Sequence, residues 1–465
     1  MQLHFSLRRP VASNAARRRW QGLGLVAAAM LPAAASQAVD FGPFSLNGFA
    51  KVEAQRNSNT CPDCQRFPSE DKQRFWADEL VPGTEYKTRT LHTTLVQPYL
   101  GAKFDLGSGF KLQGLLSQRW RDGKEDIPGF WYEKNAALSH EEYGSLRIGA
   151  MTTRAWSMAD YPYGTNLNLA DLWGSAGAGY GLLTKAIRYT ARPLDVLDGD
   201  LVLEATYDMG NTDFKRNKPR FWEFYGQFHR GDLVIDAMYQ DTRNGTPSAW
   251  SHGPFTGLTP FPADDAKLGS SGQSVALVMG RYQINTQFEV SGGVRHSRWS
   301  GAYAAITRSA PGQPDQWNNM FNVDWSHDLG GGVFRGYPAT STDLLLGLRY
   351  RMGQWVASTG MAHLGKAKTD NPTEAGQRNS ALVNTLGLNY EFGDKLRGLQ
   401  VYGFAGIVNY GLAANSSGCN GLPDRKPGNC SLAPMSMPGN AAFTNVDSRV
   451  ARSGNWLGAG VVYGF

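Results

Sequence analysis

The chain has 465 residues, of which 41% are hydrophobic, and a formal net charge of +6. Five of its 46 basic residues and none of its 40 acidic residues lie in residues 1–38, so the rest of the chain carries 41 basic and 40 acidic side chains. A net charge of about +1 gives no electrostatic reason to bind nucleic acid, and we expect no nucleic-acid partner.

The N-terminal residues have the composition of an export signal. Five arginines precede an apolar run from Leu23 to Ala35, and small residues follow up to Ala38. This order is typical of a cleaved secretory signal peptide. The 13 apolar residues are too few to span a bilayer, which needs roughly 20. The sequence predicts a signal peptide over residues 1–38, cut after Ala38 or after Ala35, and one domain over residues 39–465.

After residue 38, segments of about ten residues alternate between apolar and polar side chains. In "FSLNGFAKVEAQRN", Leu46 and Val52 share one face, whereas Lys51 and Glu53 share the other. Such alternation predicts β-strands with one apolar and one polar face. Sixteen such segments can be counted, centred near residues 50, 96, 115, 135, 148, 188, 204, 225, 237, 277, 292, 346, 360, 387, 405 and 460.

The connections between these strands are sorted by length. After even-numbered strands they are short turns such as "DLGSG", "EEYG" and "RMGQ". This sorting predicts an all-β fold: a sixteen-stranded antiparallel transmembrane β-barrel in the outer membrane, with short periplasmic turns and long external loops. A soluble β-sandwich or propeller would rarely sort its loops so strictly. The long connections follow odd-numbered strands and include Ser58–Gly83, Thr153–Leu183, Arg243–Gly269, Gly301–Thr340 and Gly411–Gly454.

The last segment, "NWLGAGVVYGF", places its aromatic residues at the end of a strand. Because an open sheet edge cannot exist in lipid, we expect this strand to pair with the first and close the barrel. Odd-numbered residues then face lipid, and Tyr463 and Phe465 belong to the periplasmic aromatic girdle.

Four cysteines form two pairs that are local in sequence. Beside an export signal, Cys61 and Cys64, and Cys419 and Cys430, are predicted to form disulfides. Closing short loops costs less entropy, so the local pairs are favoured. A bridge between the first and eighth external loops remains open, because these loops are neighbours in a closed barrel.

The sequence predicts no metal site and no cofactor, although calcium in the loops is left open.

Several motifs resemble those of the general porins of Gram-negative bacteria, in particular the trimeric sixteen-stranded porins of β-proteobacteria. They are "FSLNGFAKVEA", "LGAKFDLGSGFKLQ", "EEYGSLRIGAMTTR", "KAIRYTARP" and "GVVYGF". The resemblance implies a homotrimer in contact with outer-membrane lipid and lipopolysaccharide. It also implies a water-filled pore narrowed by an inward-folded third loop, and recognition of Phe465 by the barrel assembly machinery.

On this resemblance, the third loop, Thr153–Leu183, forms the channel constriction with Arg154, Asp160 and Asp171. The two aspartates can equally form turns or caps within the loop. A charged side chain on the inner face can also serve only to keep the lumen polar. The residues predicted to line the lumen wall are Lys51, Tyr99, Arg119, Glu133, Arg147, Arg188, Arg295 and Arg349.

Porins of this family usually carry arginines on strands two, four and six, facing the third loop, and this chain departs from that pattern. Those places hold Tyr99, Glu133 or Lys134, and Leu183. Arginine and lysine nevertheless exceed acids on the inner faces of strands three, five, six and twelve. We therefore predict passive diffusion of small hydrophilic solutes and ions with a weak anion preference.

Two other functions are open. A channel specific for one substrate, for example a small organic acid, would show an ordered aromatic slide or an arginine ladder. An outer-membrane enzyme would need a Ser/His or Asp/His constellation. None of the eight histidines lies in a recognisable nucleophile motif, and the prediction is that the chain is not an enzyme.

Overall fold

A computed structural model describes residues 39–58, 88–125, 131–154, 180–209, 220–243, 248–252, 272–304, 323–328, 333–365, 368–369, 381–393, 396–410 and 453–465. In these ranges, no helix is long and apolar enough to cross a membrane. The predicted signal peptide, the four cysteines, Asp160 and Asp171 lie outside the described residues, and their assignments stay predictions.

The sixteen predicted strands are all present and each contains or adjoins its expected centre. Their bounds are β1 Phe44–Ser58, β2 Thr88–Gly107, β3 Phe110–Ser117, β4 Glu133–His140, β5 Gly144–Thr152, β6 Tyr180–Thr190, β7 Gly199–Asp208, β8 Arg220–Arg230, β9 Leu233–Arg243, β10 Gly272–Gln283, β11 Phe288–Ala304, β12 Val333–Met352, β13 Trp355–Leu364, β14 Ala381–Glu391, β15 Leu399–Tyr410 and β16 Ser453–Gly464.

Each strand pairs antiparallel with the next, and β16 pairs with β1 from Phe49↔Gly464 to Ser58↔Asn455. The predicted closed barrel is therefore confirmed. Seven short strands extend the sheet at its ends: Val39–Phe41, Trp120–Arg121, Lys124–Glu125, Leu194–Val196, Ser248–His252, Val323–Asp328 and Lys368–Thr369.

The two faces of the barrel differ as the alternation predicts. On β12, Leu344, Leu346 and Leu348 are exposed on the outer face, whereas Asp343 is buried inside. Apolar side chains on an outer face suit contact with lipid, and polar ones line the lumen. Exposed aromatic residues gather on the outer face near the short turns: Phe104, Tyr189, Tyr282, Phe288, Trp355 and Tyr463.

The C-terminal residue completes the closing seam. The Phe465 amide donates to the Gly48 carbonyl at 3.0 Å, and the Gly48 amide donates to the Phe465 carbonyl at 2.8 Å. The exposed Tyr463 ring lies 6.3 Å from the Phe465 ring, centroid to centroid. Because Leu457 and Val461 are also exposed, the odd-numbered residues of β16 face outward, as predicted.

Two predicted loops are shorter than the sequence suggested. The third loop was predicted to end at Leu183, but β6 begins at Tyr180, where Tyr180–Leu183 pairs with the short strand Ser248–His252. The predicted loop Gly301–Thr340 is wrong at both ends, because β11 runs to Ala304 and β12 begins at Val333. Backbone pairing continues there without the apolar alternation that marked the membrane-spanning part.

Candidate channel constriction

A dense group of charged side chains lies on the inner faces of β5 to β9. In the register, Arg188 on β6 is paired with both Arg147 on β5 and Thr206 on β7, and Thr206 is paired with Glu223 on β8. Directly paired residues point to the same face of a sheet. The register therefore places these four side chains side by side on the lumen wall.

Glu223 is the centre of this group. Its carboxylate accepts hydrogen bonds from the Arg154 amide at 3.0 and 2.9 Å, from Arg188 Nη2 at 3.3 Å and from Gln240 Nε2 at 2.7 Å. The side chain is 1% exposed. One carboxylate thus connects β6, β8, β9 and Arg154, the second residue after β5.

Arg154 was predicted to belong to the constriction, and it points into the barrel. Its guanidinium donates to both carboxylate oxygens of Glu204 on β7 and lies over the Tyr225 ring, 5.3 Å from the centroid. Thr153 and Arg154 are both buried. The described start of the third loop therefore turns inward and is attached to β7 and β8.

Arg147 and Arg188 occupy different electrostatic surroundings. Arg188 is 2% exposed, donates to Thr206 Oγ1 at 2.7 Å and to the Thr152 carbonyl at 2.9 Å, and forms an ion pair with Glu223. Arg147 is only half-buried and donates to the side-chain amide oxygen of Asn135. No carboxylate of the described residues forms an ion pair with Arg147. Its positive charge is therefore balanced only in part, by the carboxylates of Glu133 and Glu204, which act on it without a direct contact.

A tyrosine–carboxylate pair continues the group toward the short-turn end. The Tyr225 hydroxyl donates to Asp236 Oδ1, and Gln227 Nε2 donates to the same oxygen at 2.7 Å. On the other side, Glu133 Oε1 accepts from the Thr152 amide at 3.1 Å. The predicted wall residue Glu133 thus holds the end of β5.

The remaining predicted wall residues lie inside the barrel but away from this group. Arg295 donates through Nε to Asp343 Oδ2 at 2.7 Å, and both side chains are almost fully buried. Arg349 lies 3.6 Å from Glu289, with the distance taken between Nη1 and Oε1. The structure therefore distributes these arginines over separate ion pairs rather than in one ladder.

Three predicted wall residues lie nearer β1 to β4. Lys51 Nζ lies 2.9 Å from Glu53 Oε2, and Tyr99 is buried on the inner face of β2. Arg119 follows β3 and donates to the Tyr132 hydroxyl at 3.1 Å. Of the two residues named for strand four, Glu133 is the inward one, because Lys134 is exposed on the outer face. Leu183, named for strand six, packs in a buried cluster with Met151 and Phe221.

The acidic partners of these arginines were not predicted from the sequence. They could have been found from parity alone, because Glu204 in "LVLEATYD" and Glu223 in "FWEFYG" alternate with outward apolar residues. The acidic side chains that neutralise inner-face basic residues are Glu53, Glu204, Glu223, Glu289, Asp343 and Glu391.

An aromatic strip covers the inner face of β15 and β16. Tyr402 is paired with Gly460 and Phe404 with Gly458, and each ring lies over the glycine of the neighbouring strand. Trp456 lies over Gly406 in the same way. The three rings are 2–5% exposed, so this strip is packed wall rather than open surface.

Within the described part of the chain, no group of three or more His, Cys, Asp or Glu side chains is arranged to hold a metal ion. The cluster at β5 to β9 instead pairs carboxylates with arginines and amides. Its chemistry is that of a fixed charge distribution on the inner wall of the barrel.

No family model and no curated protein sequence matches this chain. Solved outer-membrane barrels match its fold. An anion-selective porin from Comamonas acidovorans is 12% identical with a TM-score of 0.53, over 91% of this chain and 99% of that one. OmpT, an outer membrane protein of Vibrio cholerae, is 10% identical with a TM-score of 0.51, over 92% and 100%. OmpF of Salmonella typhi, solved with daunomycin, is 12% identical with a TM-score of 0.51, over 92% and 100%.

Proposed function

We propose that this protein is an outer-membrane porin, a water-filled channel through which small hydrophilic solutes and ions diffuse passively with a weak preference for anions. The observation that carries the proposal is a closed sixteen-stranded barrel with an apolar outer face and a charged inner face. Barrels of 16–18 strands are wide enough to leave an aqueous channel. The similar fold of known porins supports the same class.

Arg147 is the residue to which we assign the anion preference. Most inner-face arginines are paired with carboxylates, so their fields largely cancel beyond a few ångströms. Arg147 is half-buried and bonded only to a neutral amide. A unit charge about 8 Å from a passing ion in water contributes about 0.5 kcal/mol, roughly a factor of two in permeability. One arginine without a direct carboxylate partner is therefore enough for a weak preference.

The proposed function predicts stepwise conductance. The purified protein, added to a planar lipid bilayer in KCl, is expected to produce discrete, long-lived current steps that do not require a substrate. A barrel that inserts, as judged by gel mobility before and after heating, but gives no current would overturn the porin proposal.

The selectivity proposal makes a second prediction. Arg147→Gln keeps the bond to Asn135 possible but removes the charge, and it is expected to reduce the anion-to-cation permeability ratio roughly twofold. The measurement is the reversal potential across a KCl gradient. Arg192→Gln, at an exposed position in the turn after β6, is the matched control and should leave the potential unchanged. A cation-selective wild type, or no shift with Arg147→Gln, contradicts the assignment.

The cellular arrangement is also proposed. We infer that residues 1–38 are removed on export, that the barrel lies in the outer membrane as a homotrimer, and that Phe465 is presented to the assembly machinery. The support is the resemblance of the sequence motifs and the similar fold. Chemical cross-linking of the purified protein would count the subunits.

A substrate-specific channel is the less favoured alternative. An aromatic slide for one solute would have to expose its rings to the lumen, whereas Tyr402, Phe404 and Trp456 are almost fully buried. An arginine ladder would need several free guanidinium groups, whereas Arg188 and Arg295 are each paired with an acid. These contacts favour general diffusion.

A further inference from the structure

β6 changes its neighbour partway along its length. The part nearer the short turns pairs with β7, and the last of these pairs joins Ala186 to Asp208. Beyond that point, Tyr180–Leu183 pairs with the short strand Ser248–His252, which belongs to the connection between β9 and β10. The other edge of this part of β6 is occupied by β5. The short strand therefore takes the edge that β7 has left, beside the residues that end the third loop.

A β-bulge marks the point at which the neighbour changes. On β5, one residue separates Gly149 from Met151. On β6, two residues separate their partners, Ala186 and Leu183. The additional residue reverses the faces to which the following side chains of β6 point. Leu183 consequently lies on the lumen side with its partner Met151, in one buried cluster with Phe221. The bulge thus packs the end of the third loop onto the inner wall.

Asp208 holds this bulge from the neighbouring strand. Its carboxylate Oδ2 accepts a hydrogen bond from the Lys185 amide at 3.0 Å, and the side chain is fully buried. The Met209 amide donates to the Lys185 carbonyl at 3.5 Å. A bulge disrupts the regular ladder, and a buried amide left without a partner is costly. Because Asp208 supplies that partner, it fixes the bulge at this position and hence the point at which the short strand can begin to pair.

The two described ends of the third loop are therefore held by different elements. At its start, the Arg154 amide is bonded to Glu223 and the Arg154 guanidinium to Glu204. At its end, Tyr180–Leu183 lies between β5 and the short strand. A loop whose two ends are fixed has fewer conformations than a loop with one free end. The second attachment therefore restricts how far the loop can move across the lumen.

We propose that Asp208 and the strand Ser248–His252 are positioning elements of the channel constriction, which hold the returning end of the third loop against the inner wall. The inference rests on the proposed porin function and its third-loop constriction. Loss of either element leaves the charges of Arg188 and Glu223 in place but lets the end of the loop detach. Losing a hydrogen bond to a carboxylate raises the population of such a detached state roughly tenfold or more. The channel then fluctuates between conductance levels.

The first experiment tests the backbone arrangement without any measurement of current. In the full-length protein, the double variant Ser251→Cys, Gly181→Cys places cysteines at directly paired positions. The Cα atoms of such a pair are roughly 4.5–5.5 Å apart, which a disulfide can span. Peptide mapping of the oxidised protein should show a bridge between positions 251 and 181. The two single variants, which cannot form this bridge, are the controls.

The second experiment measures the open-channel current in planar bilayers. Asp208→Ala is expected to raise the variance of this current roughly tenfold, because the variance follows the population of the detached state. Asp208→Asn keeps an acceptor oxygen for the Lys185 amide and should resemble the wild type. Replacing residues 248–252 by Gly-Ser-Gly-Ser-Gly should act like Asp208→Ala, because glycine weakens a strand.

A rescue experiment links the two measurements. In the Asp208→Ala background, the oxidised cysteine pair at positions 251 and 181 should restore the low variance of the wild type, and reduction should raise the variance again. The wild type under the same reducing conditions is the control for the other cysteines of the chain. A variant that was only less stable would not recover a quiet current through this one cross-link.

Equal current variance in the wild type and Asp208→Ala would overturn the proposal, as would a failure of the cysteines at 251 and 181 to form a bridge. A heat-dependent shift in gel mobility establishes that each variant is a folded barrel. An absence of current from every variant and from the wild type would refute the porin proposal. The peptide map would still decide whether the short strand is fastened to the end of the third loop.

Discussion

Replacement of Glu223 by alanine is expected to destabilise the barrel by about 3–5 kcal/mol, because it leaves buried charge without a partner. Arg188 is 2% exposed and would lose its carboxylate. The Arg154 amide and the Gln240 side-chain amide would each lose a hydrogen bond that is 3.0 Å or shorter. Several strands and the start of the third loop are affected by one change, so the effect should be among the largest for a single residue of the lumen.

The measurement is the free energy of unfolding in urea, with the barrel in detergent micelles. Glu141→Ala is the matched control, because Glu141 forms an ion pair with Lys111 at 3.5 Å whose side chains are 38% and 35% exposed. Exposed pairs contribute at most about 1 kcal/mol. The double variant Arg188→Met, Glu223→Met removes both buried charges, so it should be less destabilised than Glu223→Ala. If Glu223→Ala and Glu141→Ala are equally mild, Glu223 does not hold the constriction together.

The number and order of strands were predictable because each strand carries its own signal. A residue that faces lipid must be apolar and its neighbour, facing water, can be polar, so "TDLLLGLRYRMG" indicates both a strand and its orientation without reference to any other segment. The strand ends were less predictable. Beyond the apolar band, as from Gly301 to Ala304, backbone pairing needs no alternation of side chains.

The ion pairs of the lumen could not be predicted for a different reason. Parity shows that Glu204 and Glu223 point inward, but the arginine that each one meets depends on the register of β6, β7 and β8. It depends further on the turn of the chain after Thr152, which brings Arg154 to Glu204. Arginines that outnumber the acids on their own strand are therefore mostly paired with carboxylates on neighbouring strands.

The second large effect concerns the seam at which the barrel closes. Gly460 on β16 is paired with Tyr402 on β15 and with Glu53 on β1. Because Gly460 has no side chain, the Tyr402 phenol lies across it and donates to Glu53 Oε2 at 2.7 Å. This hydrogen bond links β15 to β1 across the closing strand β16.

Gly460→Ala is therefore expected to destabilise the barrel by about 3 kcal/mol. A Cβ atom at this position would lie 2.5 Å from Tyr402 Cζ and 2.8 Å from the Val52 carbonyl oxygen, so the ring must move away. Overpacking of this kind costs about 1–3 kcal/mol. The lost hydrogen bond to a carboxylate adds about 1.5–3 kcal/mol. Since the strand is held between β15 and β1, neither neighbour can relax without opening the seam.

Gly403→Ala provides the matched control on β15, because the nearest atom to its added Cβ would be the Gly458 carbonyl oxygen at 3.8 Å. It should change the free energy of unfolding by less than about 0.5 kcal/mol. Tyr402→Phe keeps the ring and removes only the hydroxyl, and Glu53 stays paired to Lys51 at 2.9 Å. Its loss in free energy of unfolding should therefore lie between those of Gly403→Ala and Gly460→Ala. The readouts are urea unfolding and the temperature at which gel mobility changes on heating. Equal stability of Gly460→Ala and Gly403→Ala would mean that Tyr402 does not fasten the closing strand.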